Sequence, residues 1–182
     1  MKLVLYSYFI DTNYTTSKMS ETVILNSSQI NRKLDRISYE IIEDNFDQTE
    51  IILGGLQTKG KVIADRICKK INNSSNIQAS VISINLSGSD FKQAFNHLEN
   101  KSVVLIDDLL NTGKSMLKAL YNLFPINVYK IRTAVLINRS HKLFPINVDF
   151  FGLELSTVKE EYIDVKLKEL DNIDLAVLKW LN

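Results

Sequence analysis

The chain has 182 residues, enough to bury a core as one domain without the support of a metal or a disulfide. Its 22 basic and 21 acidic side chains leave a formal net charge of +1, so there is no overall nucleic-acid signature and any RNA surface would be a local patch. The single cysteine excludes an internal disulfide, and no apolar run approaches the roughly 20 residues that cross a membrane.

The first 20 residues stand apart from the pattern that follows them. Residues 1–10 carry one lysine and a short apolar stretch, but no small-residue cleavage site precedes the polar residues 12–20, which disfavours a signal peptide. Regular alternation starts only after Met19. We therefore expect residues 1–20 to be an N-terminal extension, which an upstream or misplaced start would explain, and residues 21–182 to form a single domain.

The first predicted elements are a short strand and a helix. Residues 23–25 are apolar, and Ser27 and Ser28 after them are candidate N-caps. Apolar side chains then recur with helical spacing, at Ile30, Leu34, Ile37, Ile41 and Ile42. This pattern predicts a helix that ends at about residue 45.

A second buried strand is predicted at residues 51–53, ending at Gly54 and Gly55. A tight polar loop is expected after it, formed by Gln57, Thr58, Lys59 and Gly60. The helix that follows has apolar positions at Val62, Ile63 and Ile67. Cys68 continues that helical pattern with no obvious base beside it, so we expect a buried structural thiol in a reducing cytoplasm and not a nucleophile.

The most informative stretch is residues 103–115, VVLIDDLLNTGKS. Its first four residues are apolar and mostly β-branched, which predicts a strand covered on both faces of a parallel sheet. The polarity changes at Asp107 and Asp108, and helical spacing resumes at Met116, Leu117, Leu120 and Leu123. The strand therefore delivers two carboxylates and a polar loop to one edge of the sheet.

This arrangement suits a sugar phosphate. Backbone amides at a helix N-terminus bind a phosphate, and small residues in the loop let the phosphate approach. Two adjacent carboxylates would repel a phosphate, so they suit a pair of vicinal hydroxyls or a magnesium ion, and ribose 5-phosphate has both ends. A Walker A loop also ends in Gly-Lys-Ser but needs a glycine where Asp108 stands, which disfavours an ATPase or GTPase.

The loops at residues 57–60 and 111–115 both follow buried strands, so they fall at the same edge of the sheet. Two anion-binding loops at one crevice predict a ligand with two phosphate groups. Further strands are predicted at residues 82–86, 134–137, 148–151, 162–167 and 175–181. The alternation of strands and helices predicts an α/β fold.

With these elements placed, residues 22–182 resemble the type I phosphoribosyltransferases. Their signature is a hydrophobic strand, two acidic residues and a Thr-Gly loop that binds phosphoribosyl pyrophosphate. Within that superfamily the chain is most similar to the PyrR family, bifunctional pyrimidine operon attenuators with uracil phosphoribosyltransferase activity. The segments that carry the resemblance are SQINRKLDRISYEIIEDN, ILGGLQTKGKVIADRI, VVLIDDLLNTGKS, AVLINRSHKLFPINVDFFG and KLKELDNIDLAVLKW. The resemblance implies a mostly parallel twisted sheet flanked by helices, with a small hood region.

The resemblance also implies roles for individual residues. Asp107 and Asp108 would be the catalytic pair, holding the ribose hydroxyls and, through those hydroxyls or water, Mg²⁺. The 5-phosphate would be bound by Asn111, Thr112, Gly113, Lys114 and Ser115. The pyrophosphate would be bound by Thr58, Lys59 and Gly60, in a loop where a nonproline cis peptide is common in the superfamily.

Base binding is implied for the region of Arg139, Phe150 and Phe151, although core burial is an alternative for either phenylalanine. Arg139 belongs to a segment that reads Arg-Gly-His in relatives, here with a serine in place of the glycine. At the pyrophosphate loop, Lys59 replaces the arginine that is usual in PyrR proteins.

The implied reaction displaces pyrophosphate from C1 of the ribose by a nitrogen of a nucleobase, uracil in the nearest family. Such chemistry depends on positioning and electrostatics more than on a nucleophile. Active relatives close a long flexible loop over the substrate, whereas here only sixteen residues, without tyrosine or arginine, separate Leu86 from Val103. A truncated lid would exclude water less well and would slow or abolish transfer.

Two other functions stay open on the sequence alone. The first is an RNA-binding regulator of pyrimidine genes that senses nucleotides in the same pocket, supported by basic residues at Arg32, Lys33, Arg36, Lys69 and Lys70, which a solvated helix surface explains equally well. The second is a nucleotide-binding protein that has lost catalysis. The resemblance further implies a cytoplasmic homodimer or higher homo-oligomer.

Overall fold

The computed structural model describes residues 21–86 and 98–180. Within these ranges the strands are β1 (Glu21–Asn26), β2 (Glu50–Leu56), β3 (Gln78–Ile84), β4 (Ser102–Leu110), β5 (Lys130–Arg139), β6 (Phe150–Leu155), β7 (Glu161–Lys166) and β8 (Leu175–Trp180). The helices are α1 (Ser27–Asp44), α2 (Gln57–Ser74), α3 (Lys114–Leu123) and the single turn α4 (Lys168–Asp171). In this described part, no helix has the length and apolar character needed to cross a membrane.

Two sheets organise the chain. Five strands form a parallel sheet in the order β3-β2-β4-β5-β6, and β1, β8 and β7 form a small antiparallel sheet, which we call the hood. The predicted α/β architecture is confirmed, including its mostly parallel sheet, its flanking helices and its hood region.

Alternate residues of β4 enter two separate cores, which shows that both faces of the parallel sheet are covered. Val104 and Ile106 join a core with α1, α2 and the hood, whereas Val103 and Leu105 join a core with α3. The four residues are fully buried, each contributing about 1.5 to 3 kcal/mol from burial. The apolar run at residues 103–106 is therefore correctly interpreted as a doubly covered strand.

The start of α1 differs in detail from the sequence prediction. Asn26, and neither Ser27 nor Ser28, is the N-cap: its side chain accepts from the backbone N–H of Gln29, and the Gln29 side chain accepts in return from the backbone N–H of Asn26. This reciprocal capping box satisfies two backbone donors that the helix leaves free. The predicted end near residue 45 is correct, because Asn45 is the C-cap.

The hood is fixed to the parallel sheet by a shared core and by ion pairs. Ile163, Val165 and Ala176 of the hood lie in the same apolar core as α1 and α2. Arg66 of α2 donates to Glu169 and to Asp174, the latter at 2.6 Å, and so ties the helix to the segment between β7 and β8. The hood and the helix that begins at Gln57 therefore hold a defined position relative to each other.

Cys68 has the environment expected of a structural thiol. Its sulfur lies 3.2 Å from the carbonyl oxygen of Ala79, within the interface between α2 and β3. Burial and the charge of Asp65 raise the pKa of this thiol. A raised pKa disfavours the thiolate, so the residue is a poor nucleophile.

Candidate active site

Strand β2 enters helix α2 through a sharp turn with no intervening loop. Gln57 has a φ of 51°, a left-handed conformation, and a Cβ on Gly55 would lie 2.4 Å from the Cα of Lys61. Thr58, Lys59 and Gly60 are therefore the first turn of α2, which corrects the prediction of a separate polar loop. No cis peptide bond occurs within the described residues, in contrast to what the resemblance implies for this position.

The first turn of α2 offers backbone donors to a ligand. The first N–H groups of a helix have no partner inside it, and they carry a partial positive charge. Leu56, the residue before the helix, makes no side-chain capping hydrogen bond. This helix end is therefore able to bind an anion.

Gly60 brings this turn against the carboxylate strand. A Cβ added to Gly60 would lie 2.5 Å from the carbonyl oxygen of Ile106 and 3.2 Å from the Cα of Asp107. Only glycine permits that approach, since both contacts are to backbone atoms. The predicted anion-binding segment at residues 57–60 is thus in direct contact with the strand that carries the carboxylates.

The carboxylates belong to the strand and not to the loop after it. β4 continues through Asp107 and Asp108 to Leu110, four residues beyond the predicted strand end. The Asp107 side chain accepts a hydrogen bond of 2.9 Å from the backbone N–H of Asp108. The extended backbone therefore holds both carboxylates rigidly beside the first turn of α2.

The two carboxylates resist ionisation together. Burial and the neighbouring charge of Asp108 raise the pKa of Asp107 to about 8. Burial also raises the pKa of Asp108, although its hydrogen bond with Asp107 and the positive charge of Lys59 oppose this effect. Burial thus disfavours the charged form of the pair, and a cation or hydroxyl donors from a ligand would favour that charged form.

Lys59 connects this pair to the hood. Its ammonium group donates to the carbonyl oxygen of Val165 and lies 3.7 Å from Asp164, both on β7. The same ammonium is close enough to Asp108 to stabilise its charged form. Lys59 therefore stands between the carboxylates and the hood, at the rim of the site.

These groups line one cleft of about 380 Å³. The predicted site residues that it brings together are Thr58, Lys59, Asp107, Asp108 and Ser115. Leu56, Gln57 and Leu109 complete the lining. The cleft therefore combines a cationic group, hydroxyl groups and two carboxylates, the groups that a sugar carrying phosphates requires.

The predicted phosphate loop wraps the start of α3. Gly113 is the N-cap with a φ of 83°, and a Cβ there would lie 3.4 Å from the carbonyl oxygen of Phe144. The carbonyl oxygen of Thr112 accepts from the backbone N–H groups of Leu143 and Phe144, which anchors the loop. Lys114 begins α3 and Ser115 faces the cleft.

Arg139 holds the far side of this loop. Its guanidinium donates to Asn111 at 2.7 Å, to the hydroxyl of Thr157 at 2.5 Å and to the carbonyl oxygen of Val158 at 3.2 Å. Asn111 therefore contacts a predicted base-binding residue. Thr157, which is only 6% exposed, was missed because a lone threonine between two strands has no pattern that marks it.

Phe150 and Phe151 lie elsewhere. They begin β6, and Phe150 is 9% exposed within the core shared with α1. Both line a second cleft, of about 530 Å³, together with Arg36, Glu40, Glu43, Asp44 and Asp149. The structure does not bring these phenylalanines to the carboxylate cleft, and for Phe150 the arrangement favours the alternative of core packing.

Two further predictions concern the lid and the metal. Residues 87–97, which make up most of the predicted short lid, fall outside the described residues. For a metal, the described part of the chain holds no cluster of three or more histidine, cysteine or acidic side chains suited to bind one. The carboxylate pair fits Mg²⁺ only if the ligand itself supplies most of the oxygen donors.

The comparisons with known proteins agree on one family. The family model described as "Phosphoribosyl transferase domain" matches residues 20–170. The bifunctional protein PyrR of Streptococcus pneumoniae is 30% identical over 169 residues, covering 88% of this chain and 98% of the relative.

Solved structures show the same fold at low identity. The HGPRT-ase of Leishmania tarentolae, in complex with GMP, has a TM-score of 0.73 at 14% identity and covers 88% of this chain and 98% of its own. The hypoxanthine phosphoribosyltransferase of Trypanosoma cruzi has a TM-score of 0.71 at 12% identity, covering 87% of this chain and 97% of its own.

Proposed function

Since the chain belongs to the phosphoribosyltransferase family, as a type I member close to PyrR, we propose that it transfers a phosphoribosyl group from phosphoribosyl pyrophosphate to uracil. The products are UMP and pyrophosphate. One observation carries the proposal: Gly60 packs the first turn of α2 onto Asp107, so that an anion-binding helix end and two carboxylates share one cleft.

Each part of the donor molecule has a proposed counterpart in the cleft or, for the phosphate loop, at its edge, where Ser115 lines it. Asp107 and Asp108 accept hydrogen bonds from the ribose hydroxyls, and residues 111–115 bind the 5-phosphate through the start of α3. The first turn of α2 and the ammonium of Lys59 bind the pyrophosphate. Charged partners make each of these hydrogen bonds worth about 1.5 to 3 kcal/mol.

In the transfer step, a ring nitrogen of the base forms a bond to C1 of the ribose as the bond from C1 to the pyrophosphate oxygen breaks. The nitrogen's proton passes to the released pyrophosphate. The carboxylates would stabilise the positive charge that develops on the ribose, and Lys59 would stabilise the departing anion. Mg²⁺, held by the ligand and by Asp107 and Asp108 through hydroxyls or water, would supply further neutralisation of the pyrophosphate.

Arg139 is the residue proposed to bind the base. Arg139 has five N–H donors, of which three are used by Asn111, Thr157 and Val158. Two donors remain for a carbonyl oxygen of a base bound between β5 and the segment after β6. Phe151 lines the second cleft, so the proposal gives it no stacking role.

The proposal is tested by measuring pyrophosphate release with Mg²⁺, phosphoribosyl pyrophosphate and each of six bases: uracil, cytosine, thymine, adenine, guanine and hypoxanthine. We expect release with uracil, and its loss in Asp107→Asn but not in Asp65→Asn, a matched change on the exposed surface of α2. Release with a different base alone would contradict uracil specificity. Absence of release with every base, with retained donor binding, would refute transfer and support nucleotide sensing.

A second candidate function is regulation through RNA, because PyrR relatives carry the name "bifunctional" and α1 carries basic residues. The contacts weaken this case. Arg36 donates to Glu40 and to the backbone of β6, and Lys70 donates to Asn31 and Asp35. Arg32 donates to the neutral hydroxyl of Ser28, which does not offset its charge, so Arg32, Lys33 and Lys69 are the basic residues that would form the patch.

RNA binding is tested with a transcript of the chain's own upstream leader at several salt concentrations. A regulator would bind with an affinity that falls as salt rises and that increases with UMP. An Arg32→Gln/Lys33→Gln/Lys69→Gln variant would lose that binding while its pyrophosphate release is unchanged. No binding at low salt would exclude this candidate function.

A further inference from the structure

A hood residue to which the proposed function gives no role lies beside the ammonium group of Lys59. Asp164 of β7 has a carboxylate oxygen 3.7 Å from the ammonium nitrogen of Lys59. At that distance the two charges attract without a direct hydrogen bond. The neighbouring carbonyl oxygen of Val165 accepts one N–H of the same ammonium.

This arrangement leaves Lys59 with donors to spare. An ammonium group has three N–H donors, and Val165 accepts one of them. Asp164 attracts the charge without using a donor, so two donors remain for a phosphate in the cleft. A long flexible side chain would otherwise lose about 2 kcal/mol of rotamer entropy when a ligand fixed it. Holding the side chain in advance reduces that cost.

Asp164 is itself held in place. Its other carboxylate oxygen accepts a hydrogen bond of 3.0 Å from Lys179 of β8, and Lys179 also pairs with Glu21 of β1 at 3.1 Å. Burial alone would raise the pKa of Asp164, but the hydrogen bond from Lys179 and the charges of Lys179 and Lys59 outweigh burial and lower it. Asp164 is therefore charged at neutral pH and linked to all three hood strands.

We propose that Asp164 is a positioning residue, which holds the ammonium of Lys59 at the rim of the cleft for the diphosphate end of the substrate. The hood thereby contributes to the pyrophosphate subsite without contacting the ligand. The inference rests on the proposed function, because it takes the cleft at α2 as the pyrophosphate subsite.

Asp164 has two opposite effects on the affinity for a polyphosphate, so the direction in which that affinity changes on substitution is decisive. A carboxylate near a polyphosphate repels it, so removing the charge would tighten binding if repulsion dominated. Removing the charge would weaken binding if the positioning of Lys59 dominated. The structure favours positioning, because Lys179 offsets part of the charge of Asp164 through the other carboxylate oxygen, Oδ2.

The experiment measures Kd by calorimetry for inorganic pyrophosphate, ribose 5-phosphate and phosphoribosyl pyrophosphate, each with Mg²⁺. Asp164→Asn is expected to weaken pyrophosphate and phosphoribosyl pyrophosphate by about threefold to fivefold, the scale of an ion pair at a partly exposed site, and to leave ribose 5-phosphate unchanged. Asp164→Glu should restore most of the affinity. Asp164→Ser gives a second charge-removing variant, so the result does not depend on one substitution folding well.

Glu21→Gln is the matched control. It removes a carboxylate from the same charge network but has no contact with Lys59, so all three affinities should stay within about twofold of the starting protein. In a Lys59→Gln background, Asp164→Asn should have no further effect on pyrophosphate, because the two residues act through one contact.

Unchanged or tighter pyrophosphate binding in both Asp164→Asn and Asp164→Ser would overturn the inference. So would a loss of pyrophosphate affinity from Asp164→Asn that is as large in the Lys59→Gln background as in the starting protein. Failure of the unsubstituted protein to bind phosphoribosyl pyrophosphate would instead refute the proposed function. The two failures are distinguished by the unsubstituted protein alone.

Discussion

Asp107 and Asp108 show how the surroundings of a residue change its chemistry. Both are ordinary carboxyls in the sequence, yet burial raises the pKa of each, and the charge of Asp108 raises that of Asp107 further. The cost is borne in the free protein, and under the proposed function it would be recovered when ligand hydroxyls and a cation bind the pair. A site that destabilises its own fold in this way is typical of a binding function.

The raised pKa of Asp107 predicts how stability depends on pH. Because its pKa is about 8 in the folded protein and near 3.8 in the unfolded chain, the folded state binds more protons between these values. The contribution to stability is therefore full below pH 4 and is lost as pH rises towards 8. We expect Asp107→Asn to be more stable than the starting protein at pH 8, by about 1 to 3 kcal/mol, with a smaller difference at pH 5.5.

Urea denaturation at both pH values measures this effect, with Asp65→Asn on α2 as the control. Equal pH dependence in the starting protein and in Asp107→Asn would show that the carboxyl is not perturbed.

Gly60 yields a second prediction at the scale of one residue. In Gly60→Ala the new Cβ would lie 2.5 Å from a backbone oxygen of β4, so α2 has to move away from the carboxylates. We expect a loss of about 1 to 3 kcal/mol in stability and about a tenfold to hundredfold loss of affinity for phosphoribosyl pyrophosphate.

Gly54→Ala is the matched control, because the nearest atom to its Cβ is the end of the flexible Ile84 side chain, at 2.7 Å. Calorimetry and denaturation measure both quantities. Retained affinity in Gly60→Ala, or an equal loss in the control, would contradict the role of the close approach.

At the scale of elements, the sequence predicted strands and helices well where apolar periodicity was strong. Residues 103–106 and the apolar face of α1 are examples, because burial on both faces or on one stripe leaves a pattern in the chain. The predicted start of α2 was wrong. The turn into the helix depends on the left-handed conformation of Gln57 and on the close approach of Lys61 to Gly55, and neither is visible in the sequence. The carboxylates were correctly placed next to the phosphate loop, but their position on a strand was missed because polar residues rarely signal a strand.

Contacts between residues far apart in the chain could not be predicted from the sequence. The hydrogen bonds of Arg139 with Asn111 and Thr157 join residues 28 and 18 positions apart. The ion pair of Lys59 with Asp164 likewise depends on how the hood folds back. No spacing in one sequence encodes such pairs, so the hood's part in the site became visible only in the structure.

The link between α2 and the hood predicts an element-scale effect of Arg66. Its guanidinium bonds to Glu169 and Asp174, with only 18% of its side chain exposed, so Arg66→Met leaves two carboxylates without their partner. The hydrogen bond from Arg66 is the largest influence on Glu169 and lowers its pKa. For Asp174, burial alone would raise the pKa, but the hydrogen bond and the charge of Arg66 help to lower it. We expect a loss of about 1 to 2 kcal/mol in unfolding free energy.

Lys61→Met is the control, because the Lys61–Asp65 pair is an exposed i,i+4 pair on the same helix and is worth about 0.3 to 0.5 kcal/mol. Chemical denaturation at pH 7 compares the two variants. An Arg66→Met loss no larger than that of Lys61→Met would show that the hood does not depend on this contact.

At the scale of the whole molecule, one parallel sheet and a small hood bring together a site from four separated parts of the chain. The α2 turn, the end of β4, the start of α3 and the hood strand β7 all meet at the cleft or at its rim. The family match over residues 20–170 and the fold shared with hypoxanthine phosphoribosyltransferases agree with that organisation.

The central claim is that the cleft between α2 and β4 binds phosphoribosyl pyrophosphate. Its most direct test is a calorimetric titration of that compound with Mg²⁺ at pH 8, close to the pKa of Asp107, for the starting protein and for Asp107→Asn/Asp108→Asn. We predict micromolar binding that is weakened by about a hundredfold or more in the double variant, as expected when two charged hydrogen-bond acceptors are removed. Binding of equal strength in both proteins, or no binding in either, would contradict the claim.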